Sequence, residues 1–165
     1  MTRQLSVWLF GTHIGTLSQI DGRLNFSYEN DWLNTRNAIP LSQSLPLQAK
    51  AFGDRATRPF FAGLLPEGDK RKLIAQALHV SRQNDFALLD GIGGECAGAV
   101  TLLEPGQMPQ ARDKHDLVRW LDEVELLRLL DEMPKRPILA GEEGLRLSLA
   151  GAQDKLPVVA EGDSK

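Results

Sequence analysis

The sequence predicts an α+β protein: an N-terminal β-meander followed by a unit of short helices and strand. Three observations carry this. Between Leu5 and Tyr28 apolar and polar residues alternate with the period of half-buried strands, interrupted only by turn chemistry. From Thr57 onward the apolar spacing lengthens to that of a helix. Of the 165 residues, 42% are hydrophobic and 25% charged, enough to bury a core in one domain or two small ones.

Leu5-Ser6-Val7-Trp8-Leu9-Phe10 is a strand by alternation and by its β-forming residues. Gly11-Thr12-His13 is expected to turn the chain, and Ile14 to Ile20 to return as its partner. Asp21-Gly22 is a strong hairpin signal, and Arg23 to Tyr28 follows as the third strand. Asn30 or Asp31 is placed to cap a short helix carrying Trp32 and Leu33. Pro40, Pro46 and the polar Ser42-Gln43-Ser44 then argue for extended chain.

Helical spacing begins with Phe60, Phe61, Leu64 and Leu65, where Pro59 suits a first helical turn. After Pro66-Glu67-Gly68, Asp69 is expected to start a helix with Leu73, Ile74, Ala77 and Leu78 on one face. Asn84 can cap a third helix holding Phe86, Leu88 and Leu89, with Gly91 ending it. Ala97 to Leu103 reads as a strand in which small residues admit a close neighbour. Glu104 to Lys114, with two prolines and one glycine, reads as a surface loop and a boundary. The expected units are therefore 1–104 and 105–165. In the second, Leu117 to Leu121 is a candidate strand. Asp122 and Glu125 have capping-box spacing, and Leu126, Leu127, Leu129 and Leu130 form an amphipathic helix that Pro134 stops.

The stretch with most chemistry comes last. Leu145, Leu147 and Leu149 alternate with Arg146 and Ser148, and Leu156-Pro157-Val158-Val159 reads as a returning strand. Between them Ala150, Gly151, Ala152, Gln153, Asp154 and Lys155 form a small-residue loop. Such a loop can aim backbone N–H groups at an anion, with Lys155 adding positive charge, as loops over nucleotide phosphates do. It matches neither GxxxxGK[ST] nor GxGxxG, so on local grounds a plain hairpin containing a glycine is the better explanation. Glu161-Gly162-Asp163-Ser164 has turn chemistry, yet only Lys165 follows. The expectation is an N-terminal portion of a longer protein, or a separately encoded subunit.

Other chemistries find little support. His13, His79, His115 and the single Cys96 make no zinc-site spacing, and one cysteine allows no intrachain disulfide, which suits a reducing cytoplasm. Ser6, Ser27 and Ser148 have no nearby base motif, and no GxSxG elbow occurs. No apolar run reaches the length of a membrane span, and Met1-Thr2-Arg3-Gln4 leads into a strand rather than a signal peptide. Net charge is 19 − 22 = −3. One stretch departs from that balance: from Lys50 to Arg82 seven Lys/Arg face three Asp/Glu. It reads as solvated helix faces, or as a modest phosphate-contacting patch.

Four stretches together resemble the N-terminal part of the HipA family, the serine/threonine-kinase toxins of bacterial toxin–antitoxin modules. They are Pro40 to Leu47, Phe60 to Gly68, Phe86 to Gly93 running into Ala97-Gly98-Ala99-Val100, and Ser148 to Lys155, in the family's order and spacing. The resemblance implies an N-terminal β-rich subdomain, a linking helical and sheet subdomain, and the start of a kinase-like N-lobe. It implies that Leu149, Ala150, Gly151, Ala152, Gln153, Asp154 and Lys155 cover the phosphates of ATP, and that Ser148 is a regulatory autophosphorylation site. Mg²⁺ and ATP would serve the full-length protein, while no cofactor is expected on this chain alone, because the family's catalytic and metal-binding residues are expected beyond position 165. The implied target class is an aminoacyl-tRNA synthetase. The implied partner is a HipB-like helix-turn-helix antitoxin, with an indirect or weak DNA contact inside that complex and no membrane. Asp154 stands where Glu is expected in the family, and Pro157 stiffens the strand that follows. The alternative, from another functional class, is a freestanding N-domain-like module that partners or inhibits a separate kinase chain.

Overall fold

A computed structural model of the chain describes residues 2–95, 99–109 and 120–132. Among the described residues, strands β1 (Arg3–Leu9), β2 (Thr12–Ile20), β3 (Arg23–Tyr28) and β4 (Val100–Leu103) form one antiparallel sheet in the order β3-β2-β1-β4. The helices are α1 (Asn30–Leu33), α2 (Asp54–Ala62), α3 (Gly68–Ala77), α4 (Asp85–Ile92) and α5 (Glu123–Glu132), with a 3₁₀ turn at Gly93–Glu95 between α4 and β4. The mixed architecture is the one the two periodicities predict.

Register places the core. Leu5, Leu17 and Phe26 form one cross-strand row, and Val7, Gly15 and Tyr28 the next, on the same face of the sheet. That face meets Phe52, Phe61, Leu65, Ile74, Phe86, Leu88 and Leu89 in a single buried cluster. Phe26 sits at its centre, 4.8 Å from the Tyr28 ring edge-on and 5.6 Å from Phe61. Gly15 is required there: a Cβ would lie 2.4 Å from the Ser27 carbonyl oxygen and 2.7 Å from the Phe26 ring.

Both hairpins turn on two residues with positive φ, Phe10 (50°) with Gly11 (77°) and Asp21 (49°) with Gly22 (77°). The first turn is therefore shorter than the expected Gly11-Thr12-His13. Thr12 and His13 already pair with Leu9 and Trp8, so β2 starts before Ile14. The register shift between Val7 and Trp8 leaves Ile14 as the extra residue of a bulge. Its side chain is fully buried, and its carbonyl accepts the Glu29 N–H at 2.9 Å.

The helix boundaries show what tertiary contacts change. Glu29, not Asn30 or Asp31, is the N-cap of α1, and no side chain caps it. Its backbone is tied to β2 and its carboxylate accepts from Thr16 Oγ1 at 3.2 Å, so the extended chain ends there. Helix α2 begins at Asp54, placing Pro59 inside it rather than in its first turn. Its start is fixed to the sheet. Asp54 Oδ1 accepts the Leu24 N–H at 2.7 Å, and Thr57 Oγ1 donates to the carbonyl of Phe52, itself paired with Phe26. Helix α3 buries Ile74 and Ala75, while Leu73 is 41% exposed and Ala77 is exposed. The buried side is rotated because Arg71, one turn earlier, is drawn towards α4. Asn84 caps α4 as expected, accepting the Ala87 N–H at 3.2 Å. Gly91 does not end that helix, which continues to Ile92. A Cβ at Gly91 would stand 2.5 Å from Leu78, so this glycine serves a close approach.

In the second expected unit, Trp120 and Leu121 have no regular structure, while 117–119 lie outside the described residues. Residues 104–109 form a turn without helix or strand. Helix α5 carries the predicted capping box in full: Asp122 Oδ1 accepts from Glu125 N at 2.8 Å, and Glu125 Oε2 accepts from Asp122 N at 3.2 Å.

Candidate functional site

The expected nucleotide loop, Leu149 to Lys155, and the regulatory Ser148 lie outside the described residues, as do Cys96, Ala97, Gly98 and His115. What the described residues do assemble is a charge cluster around one buried carboxylate that composition did not single out. Asp85, 7% exposed, is the first residue of α4. Its Oδ2 accepts from Arg58 Nη1 at 2.6 Å, and its Oδ1 pairs with Arg71 Nη2. Arg58 also grips Asp54 with Nη2 at 2.8 Å and donates to the Gly22 carbonyl at 2.7 Å. Arg71 Nε donates to the Arg82 carbonyl at 2.8 Å. One carboxylate thus joins α2, α3 and α4, and through Gly22 the β2–β3 turn. Hydrogen bonding to Arg58 holds the Asp54 carboxyl below its ordinary pKa. The same pairing, with Asp54 first and Asp85 second, raises Arg58.

A signal for Asp85 is present in the sequence. It is a charged residue directly ahead of Phe86-Ala87-Leu88-Leu89, all buried, so its carboxylate needed a partner that only the fold could supply.

This cluster alters the reading of the basic stretch. Two of its seven cations, Arg58 and Arg71, are committed to Asp85, while Lys50, Arg55, Lys72 and Arg82 are exposed. A second anchor holds the chain between α1 and α2. The Tyr28 hydroxyl accepts the Leu41 N–H at 2.7 Å and donates to the Leu45 carbonyl at 2.5 Å. Burial raises the Tyr28 pKa, and the Leu41 N–H opposes that more weakly. His13 lies beside Trp8 at 5.0 Å between ring centroids, and His79 is exposed at positive φ. Among the described residues no His/Cys/Asp/Glu group is arranged to hold a metal, and no helix is long and apolar enough to cross a membrane. The cluster around Asp85 is suited to holding elements together rather than to chemistry on a substrate.

A sequence profile of the HipA N-terminal domain matches residues 5–103, the span from β1 to the end of β4. The chain belongs to the HipA family. It is 51% identical over 160 residues to Y4mE of Sinorhizobium fredii, an alignment covering 95% of this chain and 38% of that protein. It is 28% identical over 160 residues to the serine/threonine-protein kinase toxin HipA of Shewanella oneidensis, covering 91% of this chain and 35% of the toxin. The structure of Shewanella HipA with HipB and operator DNA superposes with a TM-score of 0.62 at 26% identity, over 78% of this chain and 29% of that one. A Haemophilus influenzae protein is 32% identical over 107 residues, 65% of this chain but 97% of its own length. The chain thus spans well under half of Y4mE and of the Shewanella toxin, and nearly all of the Haemophilus protein.

Proposed function

We propose that these residues are the N-terminal part of a HipA-type serine/threonine-kinase toxin, which in full length phosphorylates a serine on a cytoplasmic protein using ATP and Mg²⁺. The family membership of residues 5–103 together with Ser148-Leu149-Ala150-Gly151-Ala152-Gln153-Asp154-Lys155 carries this reading. The alignment to Y4mE supports it, because a match over 95% of the chain necessarily includes positions 148–155. In this reading residues 1–104 form the N-terminal unit, and 105–165 link it to the start of a kinase N-lobe. Backbone N–H groups of Leu149 to Gln153 and the ammonium of Lys155 would hold the phosphates. Bound ATP and Mg²⁺ supply the phosphoryl group and the charge stabilisation on which its transfer depends. An aminoacyl-tRNA synthetase is the target class proposed from the family. A HipB-like antitoxin is the proposed partner, as in the Shewanella complex, and any DNA contact is made within that assembly.

Ser148 is proposed as the switch. Its phosphorylation adds about −1.5 to −2 charges immediately before a loop that holds phosphate, and repulsion opens the loop. In the full-length protein, Ser148→Asp is expected to weaken ATP binding at least about tenfold, the effect of roughly 1.4 kcal/mol. Ser148→Ala should bind as the parent does. Unchanged ATP affinity in protein enzymatically phosphorylated at Ser148 would overturn the switch. The 165-residue chain is expected to transfer no phosphate, and incorporation of label above background would refute that.

One observation favours a second reading. The Haemophilus relative has little beyond the matched region, so a polypeptide of N-domain size occurs on its own. In that case this chain would be a module that binds or inhibits a separate kinase chain. A reading frame that stops after Lys165 would select this reading, and an open frame the first.

A further inference from the structure

Helix α5 leaves three of its apolar residues uncovered. Val124 is 74% exposed, Leu127 60% and Leu130 46%, and Trp120 just ahead of the helix is 61% exposed. Val124, Leu127 and Leu130 are three residues apart, so they form one stripe along the helix. A helix of ten residues is marginal in water by itself, whatever its caps, and takes most of its stability from burying such a stripe. The reciprocal Asp122–Glu125 cap fixes where the helix begins but supplies only about 1 kcal/mol.

We infer that this stripe is the docking surface for the segment Leu145 to Val159 of the same chain. The match is one of pattern and length. Leu145, Leu147 and Leu149 are alternate residues that need an apolar cover, and Leu156, Val158 and Val159 add a second such row. Five extended residues span about 16 Å, and the ten residues of α5 span about 15 Å. Residues 133–144 join the two, and Gly141 and Gly144 allow the reversal. Docking through the leucines puts Arg146 and Ser148 on the opposite side, away from α5, where a modifying enzyme can reach the hydroxyl. The docking is independent of whether the loop binds a nucleotide, so its test uses none.

The experiment is methyl NMR and amide hydrogen exchange on the 165-residue chain at low concentration. Val124 and Leu127 methyl groups should show nuclear Overhauser contacts to those of Leu147 or Leu149. Leu127→Asp, at a position already 60% exposed, should speed exchange at 145–149 at least about tenfold while exchange in β1 to β3 stays unchanged. Absence of those contacts overturns the inference, as does unchanged exchange at 145–149 in the variant. Contacts that vanish on dilution, with a dimer dissociating in sedimentation, would make a second copy the occupant and overturn it equally.

Discussion

Replacing Asp85 by Asn removes the charge that joins three helices while keeping the side chain's size. Removing one member of a buried ion pair costs about 3–5 kcal/mol when the partner is left buried and alone. Here neither arginine is left entirely alone. Arg58 keeps Asp54 and the Gly22 carbonyl, and Arg71 keeps the Arg82 carbonyl. Their side chains are also 33% and 21% exposed, so water screens part of the unbalanced charge. The expected loss is therefore about 2 kcal/mol, below the range for a dry pair. With a urea slope of about 2 kcal/mol per molar, the unfolding midpoint should fall by about 1 M.

The assay is urea unfolding of the parent, Asp85→Asn, Arg71→Met and the double variant. Asp85 and Arg71 share a bond, so the double-mutant cycle should show a coupling of about 1 kcal/mol or more. Asp90→Asn is the control. It breaks a pair with Arg3 whose side chains are 48% and 24% exposed, and should shift stability by less than about 0.5 kcal/mol. A midpoint for Asp85→Asn within about 0.25 M of the parent would refute the claim that Asp85 holds α2, α3 and α4 together. Strict additivity in the cycle would refute the pairing itself.

Four further outcomes are expected. Gly15→Ala should destabilise by about 1–3 kcal/mol or more in the same assay, because the Ser27 carbonyl it would strike belongs to a paired strand and cannot move aside; a neutral effect would mean β2 and β3 are farther apart. Tyr28 is the single tyrosine, so its phenolate absorbance should titrate above pH 10.0, and the stability tied to its raised pKa should be full below about pH 10 and fall as pH rises through the folded pKa. Tyr28→Phe should cost about 1–3 kcal/mol by leaving the Leu41 N–H and Leu45 carbonyl unpaired, and a loss below about 0.5 would count against that clamp. Asp54 has a lowered pKa, so its contribution is present above its ordinary value of 3.8 and lost as pH falls through the folded value. Asp54→Asn should accordingly flatten the fall in stability below about pH 4, and an unchanged acid limb would speak against the Asp54–Arg58 bond.

The meander was legible because each of its determinants is local. Asp21-Gly22 fixes a turn by φ preference alone, and β3 begins and ends where the alternation does. The Asn84 cap and the Asp122–Glu125 capping box were legible for the same reason, since each acts within one helical turn, whereas the start of α1 at Glu29 was not. What was misread depends on contacts between distant residues. Pro59 looks like the start of a helix until Leu24 draws Asp54, thirty positions later, into place and starts that helix sooner. Gly91 looks like a stop until Leu78 needs the space its missing side chain leaves.

The same division explains why the cluster around Asp85 went unnoticed in the sequence. Runs of Lys and Arg stand out in a sequence, so the stretch from Lys50 to Arg82 drew notice as a possible surface for phosphate. The carboxylate that ties up Arg58 and Arg71 lies beyond that stretch, at position 85. A charge surplus counted along the chain is therefore not a charge surplus on the surface. Where a basic run is followed by an acidic residue set among buried apolar ones, pairing inside the fold is the first explanation to test. With Arg58 and Arg71 so committed, Lys50, Arg55, Lys72 and Arg82 are the members of the stretch left exposed.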